Sequence, residues 1–543
     1  MLHSGQTMIS RQLSALLLAS VLCASNSGPL HAAARRSHRP ARRPAPVSLQ
    51  KTIDRILADP AVARAHWGIE VTTLEGKDIY ALNSGQFFEP ASNAKLFTTA
   101  AALALLGPQF TMKTYVVAEG KQSSDGHLRG TLRLIGGGDP TLSGRSYPYN
   151  GHTERPDPPL GPLDDLAAQV AAHGIRTLDG TVIADDTLFT YERYGEGWAW
   201  DDLQWDYGAP VSALTVNDNV RYLTITPGAQ LGDKAVISWN PDAPGGEQTF
   251  DAVNNQIITS PARSQPHIGL DREPGQPALR AFGTIPLAAQ PSNFGISLED
   301  PAQFAGNAFI QSLNSHGVAA KQAAQTAHRL SGDTMSFNLE VAQPLALRPA
   351  LNQPLPFSPS AGQSIVAERT SPPLSQIVTV VNKVSQNQHA ETLLRLLGVA
   401  QGDGGSVVQG ARVVRQFLIA AGVNPEEFHF VDGSGLSSDD LVTPHAVATL
   451  LAYASHQSWG EDYRNSLPIG GVDGTLSGRF LHSTLRGQIF AKTGTLSEVS
   501  STSGYLTTRR GKTLVFSVLC NDHVGEGSRK AIDEIIEAIA AAN

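Results

Sequence analysis

The stretch ASNAKLFTTAAALALLG at residues 91–107 sets Ser92 three residues before Lys95. Positions i and i+3 share one face of a helix, so the hydroxyl and the amine are expected to meet. A serine at a helix start also lies at the positive end of the macrodipole, where an oxyanion is stabilised. A lysine among Phe97, Leu103 and Leu106 is desolvated. Desolvation lowers an amine's pKa until its neutral form can take a serine proton. A nucleophile and its base thus fit within four residues. The pattern alone is cheap, since Ser48-Leu49-Gln50-Lys51 repeats it at the start of a polar helix. Only Ser92 is followed by an uninterrupted apolar helix that would bury its lysine.

Two further triplets carry the same chemistry. Ser385-Gln386-Asn387 stands directly before the helical run HAETLLRLLG, so a hydroxyl and an amide would project from a loop held by a helix. Ser312-Leu313-Asn314 and Ser336-Phe337-Asn338 share this S-x-N pattern, but in the middle of the chain, where a structural reading is preferred. Lys492-Thr493-Gly494 is the one K-T-G of the chain and ends the strand-like run GQIFA. There a lysine and a hydroxyl can receive a carboxylate, while Gly494 lets a peptide approach the backbone. On its own, this triplet also reads as a hairpin turn.

These residues must be positioned by elements from opposite ends of the chain. Residues 48–109 read as helix, strand, strand and the apolar helix. Residues 110–350 are rich in Gly, Pro and β-branched residues, with runs such as TLRLIGGG and RYLTITPG. Residues 351–543 alternate helices with strands and end in the amphipathic SRKAIDEIIEAIAAA. The expectation is an α/β (α+β) domain formed from both chain ends, with a large β-rich insertion of two modules. A length of 543 residues agrees with more than one core.

At 41% hydrophobic and 17% charged residues the chain is globular. Its first 43 residues carry six arginines and no acid, leaving the body with 35 basic against 49 acidic residues, a net of −14. That body has no footprint for nucleic acid, whose phosphates require clustered Lys and Arg. Residues 1–34 have the charge, apolar run and small residues of a secretory signal, and 35–47 read as a basic, Pro-rich tether. No later segment is apolar enough to span a bilayer, so an exported, periplasmic protein without a transmembrane span is expected. Cys520 alone would remain after cleavage, which suits a buried thiol rather than a nucleophile.

Taken in order, the triplets are a set shared by penicillin-binding proteins and class A β-lactamases. The chain resembles the class C, low-molecular-mass penicillin-binding proteins of the D-alanyl-D-alanine carboxypeptidase/endopeptidase family. The separation of 293 positions from Ser92 to Ser385 matches that family's large insertion and exceeds what a β-lactamase uses. The stretches GGGDPTL, GWAWDDLQWDYGAPVSAL, VDGSGLSSDDLVTP and PIGGVDGTLSGRF extend the likeness from about residue 50 to the C-terminus.

The resemblance implies a transpeptidase-like fold and an acyl-enzyme mechanism on D-Ala-D-Ala, needing no metal or cofactor. Ser92 would attack, Lys95 act as base, and Ser385 relay the proton to the leaving amine with help from Lys492. Asn387 would bind the substrate backbone, and Lys492 and Thr493 its terminal carboxylate. The N–H groups of Ser92 and Thr495 would form the oxyanion hole. Peptidoglycan stem peptides and β-lactams are the implied partners, the latter acylating Ser92. Asp202 would meet the amine of a diaminopimelate side chain, with Tyr207 beside it and Ser497 at the far wall. Ser438 stands where the family often has an arginine for that side chain's carboxylate, so the pocket is looser or uses another cation such as Arg479. Asp432 and Ser434 are expected to stabilise a turn. A β-lactamase or esterase on the same triplets, and a catalytically silent cell-wall scaffold, remain as alternatives.

Overall fold

A computed structural model of the chain describes residues 48–151, 158–241, 252–273, 278–332 and 334–543. The signal-like segment and the tether lie outside the described residues. Both chain ends build one antiparallel sheet, in the order Asp78–Leu82, His66–Thr73, Thr513–Asn521, Ser500–Thr507, Ile489–Thr495. His66–Thr73 and Thr513–Asn521 are buried nearly throughout, as central strands covered on both faces must be. The helices Leu49–Leu57 and Gly527–Ala542 pack together over one face, around Ile53, Phe516 and Ile535. Ser48 caps the first of these by accepting from Lys51 N, and Lys51 is exposed. The first S-x-x-K is therefore the start of a polar helix.

The opposite face carries the all-helical layer. The helix Ala94–Leu105 is buried at eleven of its twelve positions, and its apolar residues pack with Leu393, Leu397, Leu450 and Tyr463. A helix apolar all round has no solvent face to keep, which is why it runs through the centre of this layer. Asn387–Gln401, Val407–Ala420 and Pro444–Ser455 surround it.

Between the two parts lies a seven-stranded mixed sheet with its own core of Leu132, Leu134, Val182 and Phe309. Two helices back it, Gly161–Ala172 and Pro301–Ser315. The middle of the chain is thus less purely β than its composition implies. Ser312 and Asn314 lie within the second of these helices, and Ser336-Phe337-Asn338 opens the short helix Phe337–Val341. A smaller module joins two three-stranded sheets around Leu223, Ile257 and Leu279. The strand Gln363–Thr370 pairs with Lys113–Gln122 of the larger inserted sheet, so the chain leaves that sheet only after residue 370, not near 350.

Candidate active site

Ser92 lies in a 3-10 turn, Ala91–Asn93, that runs directly into the helix Ala94–Leu105. Lys95 is wholly buried one turn on. Its amine contacts Ser92 Oγ at 2.8 Å, Asn387 Oδ1 at 2.6 Å and the Ser434 carbonyl at 2.6 Å. The Asn387 amide is oriented by its other end, whose Nδ2 donates to the Tyr207 carbonyl at 2.8 Å. Two of the lysine's three partners are therefore acceptors only. A neutral amine has two N–H groups and one lone pair, so Asn387 and Ser434 take the protons and the lone pair faces the Ser92 hydroxyl. Burial brings the Lys95 pKa down to about 7, against the opposing charges of Asp432, Glu391 and Asp440.

Those acids hold the second wall of the site. Asp432 accepts from the backbone N–H groups of Ser434, Gly435, Leu436 and Ser437 and from the Trp198 indole. This fixes the turn that presents the Ser434 carbonyl to Lys95 and ties it to the inserted segment GWAW. Gly435 has φ +75°, and a Cβ there would lie 1.8 Å from the Ala91 carbonyl, so only glycine allows this approach. Glu391 accepts from Gly433 N and pairs with Arg395. Burial, then the charge of Asp432, pushes Glu391 up to about 7 and Asp440 well above the usual carboxylate range.

Ser385 ends a π-helical turn, Val381–Ser385, in a left-handed conformation with φ +65°. Its Oγ accepts from Lys492 Nζ at 2.8 Å. Lys492 is also wholly buried, and burial together with the charge of Lys95 holds its pKa well below an ordinary amine's. The loop is gripped by Asp218 of the inserted region, which accepts from Gln386 Nε2, contacts His389 Nε2 and pairs with Arg145. Asn217, Asp218 and Asn219 all have φ between 51° and 58°, a turn that favours these residue types.

The strand Ile489–Thr495 closes the site. Asn93 Nδ2 donates to the Lys492 carbonyl and to Ser501 Oγ, which in turn donates to the Pro90 carbonyl. A Cβ on Gly494 would lie 2.9 Å from Ser92 N and 2.7 Å from the Pro90 carbonyl. Thr493 Oγ1 donates to Thr475 Oγ1 at 2.7 Å, and Thr495 is exposed at the end of the strand.

The geometry thus brings Ser92, Lys95, Ser385, Asn387, Lys492 and Gly494 together. Tyr207 joins them through its carbonyl, while its hydroxyl donates to Asp202 Oδ1 at 3.0 Å. Burial raises the pKa values of both Asp202 and Tyr207. Ser497 is exposed in the turn after Thr495. Arg479 pairs with Asp533 and reaches Thr502, the cross-strand neighbour of Thr493. Glu89, next to Pro90, is pushed up by burial and by the charges of Asp522, Glu498 and Asp439. The sequence reading missed Asp218, Trp198 as a ligand of Asp432, Asn93, Ser501, Glu391 and Thr475. The Asn-Asp-Asn run at 217–219 was the one local signal for a special backbone.

The family model for the D-Ala-D-Ala carboxypeptidase 3 (S13) family matches residues 49–343 and 356–542. A D-alanyl-D-alanine carboxypeptidase of Actinomadura sp. is 34% identical over 504 residues, covering 91% of this chain and 84% of the relative. The D-alanyl-D-alanine carboxypeptidase DacB of Haemophilus influenzae is 26% identical, covering 81% of this chain and 82% of the relative. The crystal structure of penicillin binding protein 4 from Haemophilus influenzae superposes with a TM-score of 0.71 at 21% identity, over 91% of this chain and 98% of that one. That protein has also been solved in complex with a β-lactam. A family match across nearly all the described residues, with a relative above 30% identity, places the chain in the D-Ala-D-Ala carboxypeptidase 3 (S13) family.

Proposed function

We propose that the protein is a serine DD-peptidase that hydrolyses D-Ala-D-Ala ends of peptidoglycan stem peptides, and D-Ala-diaminopimelate cross-links, through an acyl-enzyme on Ser92. The observation that carries this reading is the buried Lys95 amine, 2.8 Å from Ser92 Oγ and held there by two fixed acceptors, Asn387 Oδ1 and the Ser434 carbonyl. Lys95 takes the hydroxyl proton as Ser92 attacks the carbonyl. The oxyanion forms against the N–H groups of Ser92 and Thr495, which Gly494 permits by keeping its own position bare. Ser385 passes a proton to the leaving amine, with Lys492 behind it. A substrate carboxylate at Lys492 and Thr493 favours the charged form of that lysine, so binding itself recharges the relay. Asn387 holds the substrate backbone, and water then cleaves the ester. A β-lactam follows the same path and stops at the acyl-enzyme.

Asp202, Tyr207 and Ser497 frame the pocket for the side chain of the third stem residue. The inserted region supplies Asp218, Trp198 and Tyr207 as one wall. The signal-like segment exports the protein to the periplasm. No helix among the described residues is long and apolar enough to cross a membrane.

Incubation with purified muropeptides tests the reading by mass spectrometry. Loss of one alanine from pentapeptides marks carboxypeptidase action, and conversion of dimers to monomers marks endopeptidase action. Hydrolysis of a cephalosporin in place of both would overturn the assignment in favour of a β-lactamase.

A further inference from the structure

The segment after Leu467 runs as a strap along the open edge of the strand Ile489–Thr495. Gly470 N donates to the Ile489 carbonyl at 3.0 Å and Ala491 N to the Pro468 carbonyl at 3.0 Å. Asp473 is fixed twice: Lys383 Nζ donates to its two carboxylate oxygens at 2.9 and 2.7 Å, and Ile469 N donates at 2.8 Å. Lys383 belongs to the same π-helical turn that ends in Ser385. Gly474 follows with φ +56°, and a Cβ there would come within 2.8 Å of the Lys383 carbonyl. Only glycine fits that crossing. These restraints deliver the next side chain, Thr475, to 2.7 Å from the Thr493 hydroxyl.

We infer that Thr475 is a substrate-binding residue, whose hydroxyl donates to the substrate's terminal carboxylate beside Thr493. The inference rests on the reading that Lys492 and Thr493 receive that carboxylate. Each threonine carries one O–H donor, and a carboxylate has two oxygens with several lone pairs to fill. In the ligand-free site one of the two protons closes the Thr493–Thr475 bond, and the other remains to donate. Thr475 is exposed and Thr493 half-buried, so an incoming anion can reach both. When it arrives, the threonine pair opens and two charge-assisted bonds replace one neutral bond. Arg479 on the same strap, paired with Asp533, contacts Thr502 at 3.4 Å, next to Thr493 across the sheet, and ties the strap to the strand beside it.

The test uses two D-alanyl thioesters that differ at one group: a thioglycolate, which ends in a carboxylate, and the matching thioglycolamide. The measured quantity is the ratio of kcat/KM on the first to kcat/KM on the second, for the wild type, Thr475→Val, Thr475→Ser and Thr493→Val. Loss of one charge-assisted hydrogen bond is expected to lower the ratio about tenfold in Thr475→Val. Thr475→Ser keeps the hydroxyl and restores the ratio. A fall shared equally by both thioesters, leaving the ratio unmoved in Thr475→Val while Thr493→Val lowers it, overturns the role of Thr475 alone. An unmoved ratio in both valine variants overturns the underlying placement of the carboxylate as well.

Discussion

Replacing Lys95 by methionine removes the amine and keeps most of the volume, and its effect on stability should depend on pH in a way that a lysine with an ordinary pKa cannot imitate. The Lys95 pKa is about 7 in the folded protein and about 10.4 in an unfolded chain. A base with a depressed folded pKa binds fewer protons in the native state than in the unfolded state, between those two values. Stability therefore rises with pH across the window from about 7 to 10.4, at up to about 1.4 kcal/mol per pH unit. Below pH 7 the wild type bears the full cost of burying the ammonium, about 5 kcal/mol. Methionine has no such cost, although it strands the Asn387 Oδ1 and the Ser434 carbonyl at every pH. The pH slope is then the diagnostic, not the sign at one pH. Urea unfolding of both proteins at pH 7.5 and 9.0 should show the wild type gaining about 2 kcal/mol on the variant. The wild-type acylation rate should likewise rise with pH and bend near 7. Loss of the general base lowers that rate in the variant by at least about a hundredfold. A stability difference that does not move with pH, or an acylation profile bending near 10, refutes the neutral lysine.

Three further outcomes follow from the same geometry. Gly494→Ala places a methyl 2.9 Å from Ser92 N, 2.7 Å from the Pro90 carbonyl and closer still to Ser501 Oγ, so single-turnover acylation should slow by about a hundredfold or more and the melting temperature should fall as well. Asp432→Asn removes the foremost charge that resists the depression of Lys95, so the bend in the pH profile of acylation should move toward acid. Asp218→Ala removes a buried carboxylate that pairs with Arg145 and grips the Ser385 loop through Gln386; calorimetry should find a loss of roughly 3–5 kcal/mol, and kcat should fall with it.

The order of the triplets and the apolar helix around Lys95 were enough to expect, from the sequence, the residues that the fold brings together at the centre. A buried lysine leaves a local signature, because the apolar residues that surround it are its own neighbours in the chain. The two-ended sheet was also legible, since helix and strand patterns at the two termini flank a stretch of different texture. What escaped was long-range. Nothing near Asp218 says that it grips a loop 168 residues away, and nothing near Trp198 says that it meets Asp432, 234 residues on. The two long helices of the middle region were hidden among Gly-rich and Pro-rich loops, so composition averaged over the region read as β. Thr475 passed unremarked because its one distinguishing feature, a hydroxyl beside Thr493, exists only after the strap has docked on the strand edge.

Covalent labelling tests the central claim most directly. After brief exposure of the protein to benzylpenicillin, proteolysis and tandem mass spectrometry should find one penicilloyl ester, on Ser92, in the peptide that contains Lys95. The Ser92→Ala protein should carry none. An adduct on any other residue, or an unlabelled wild-type protein that is folded, would contradict the account.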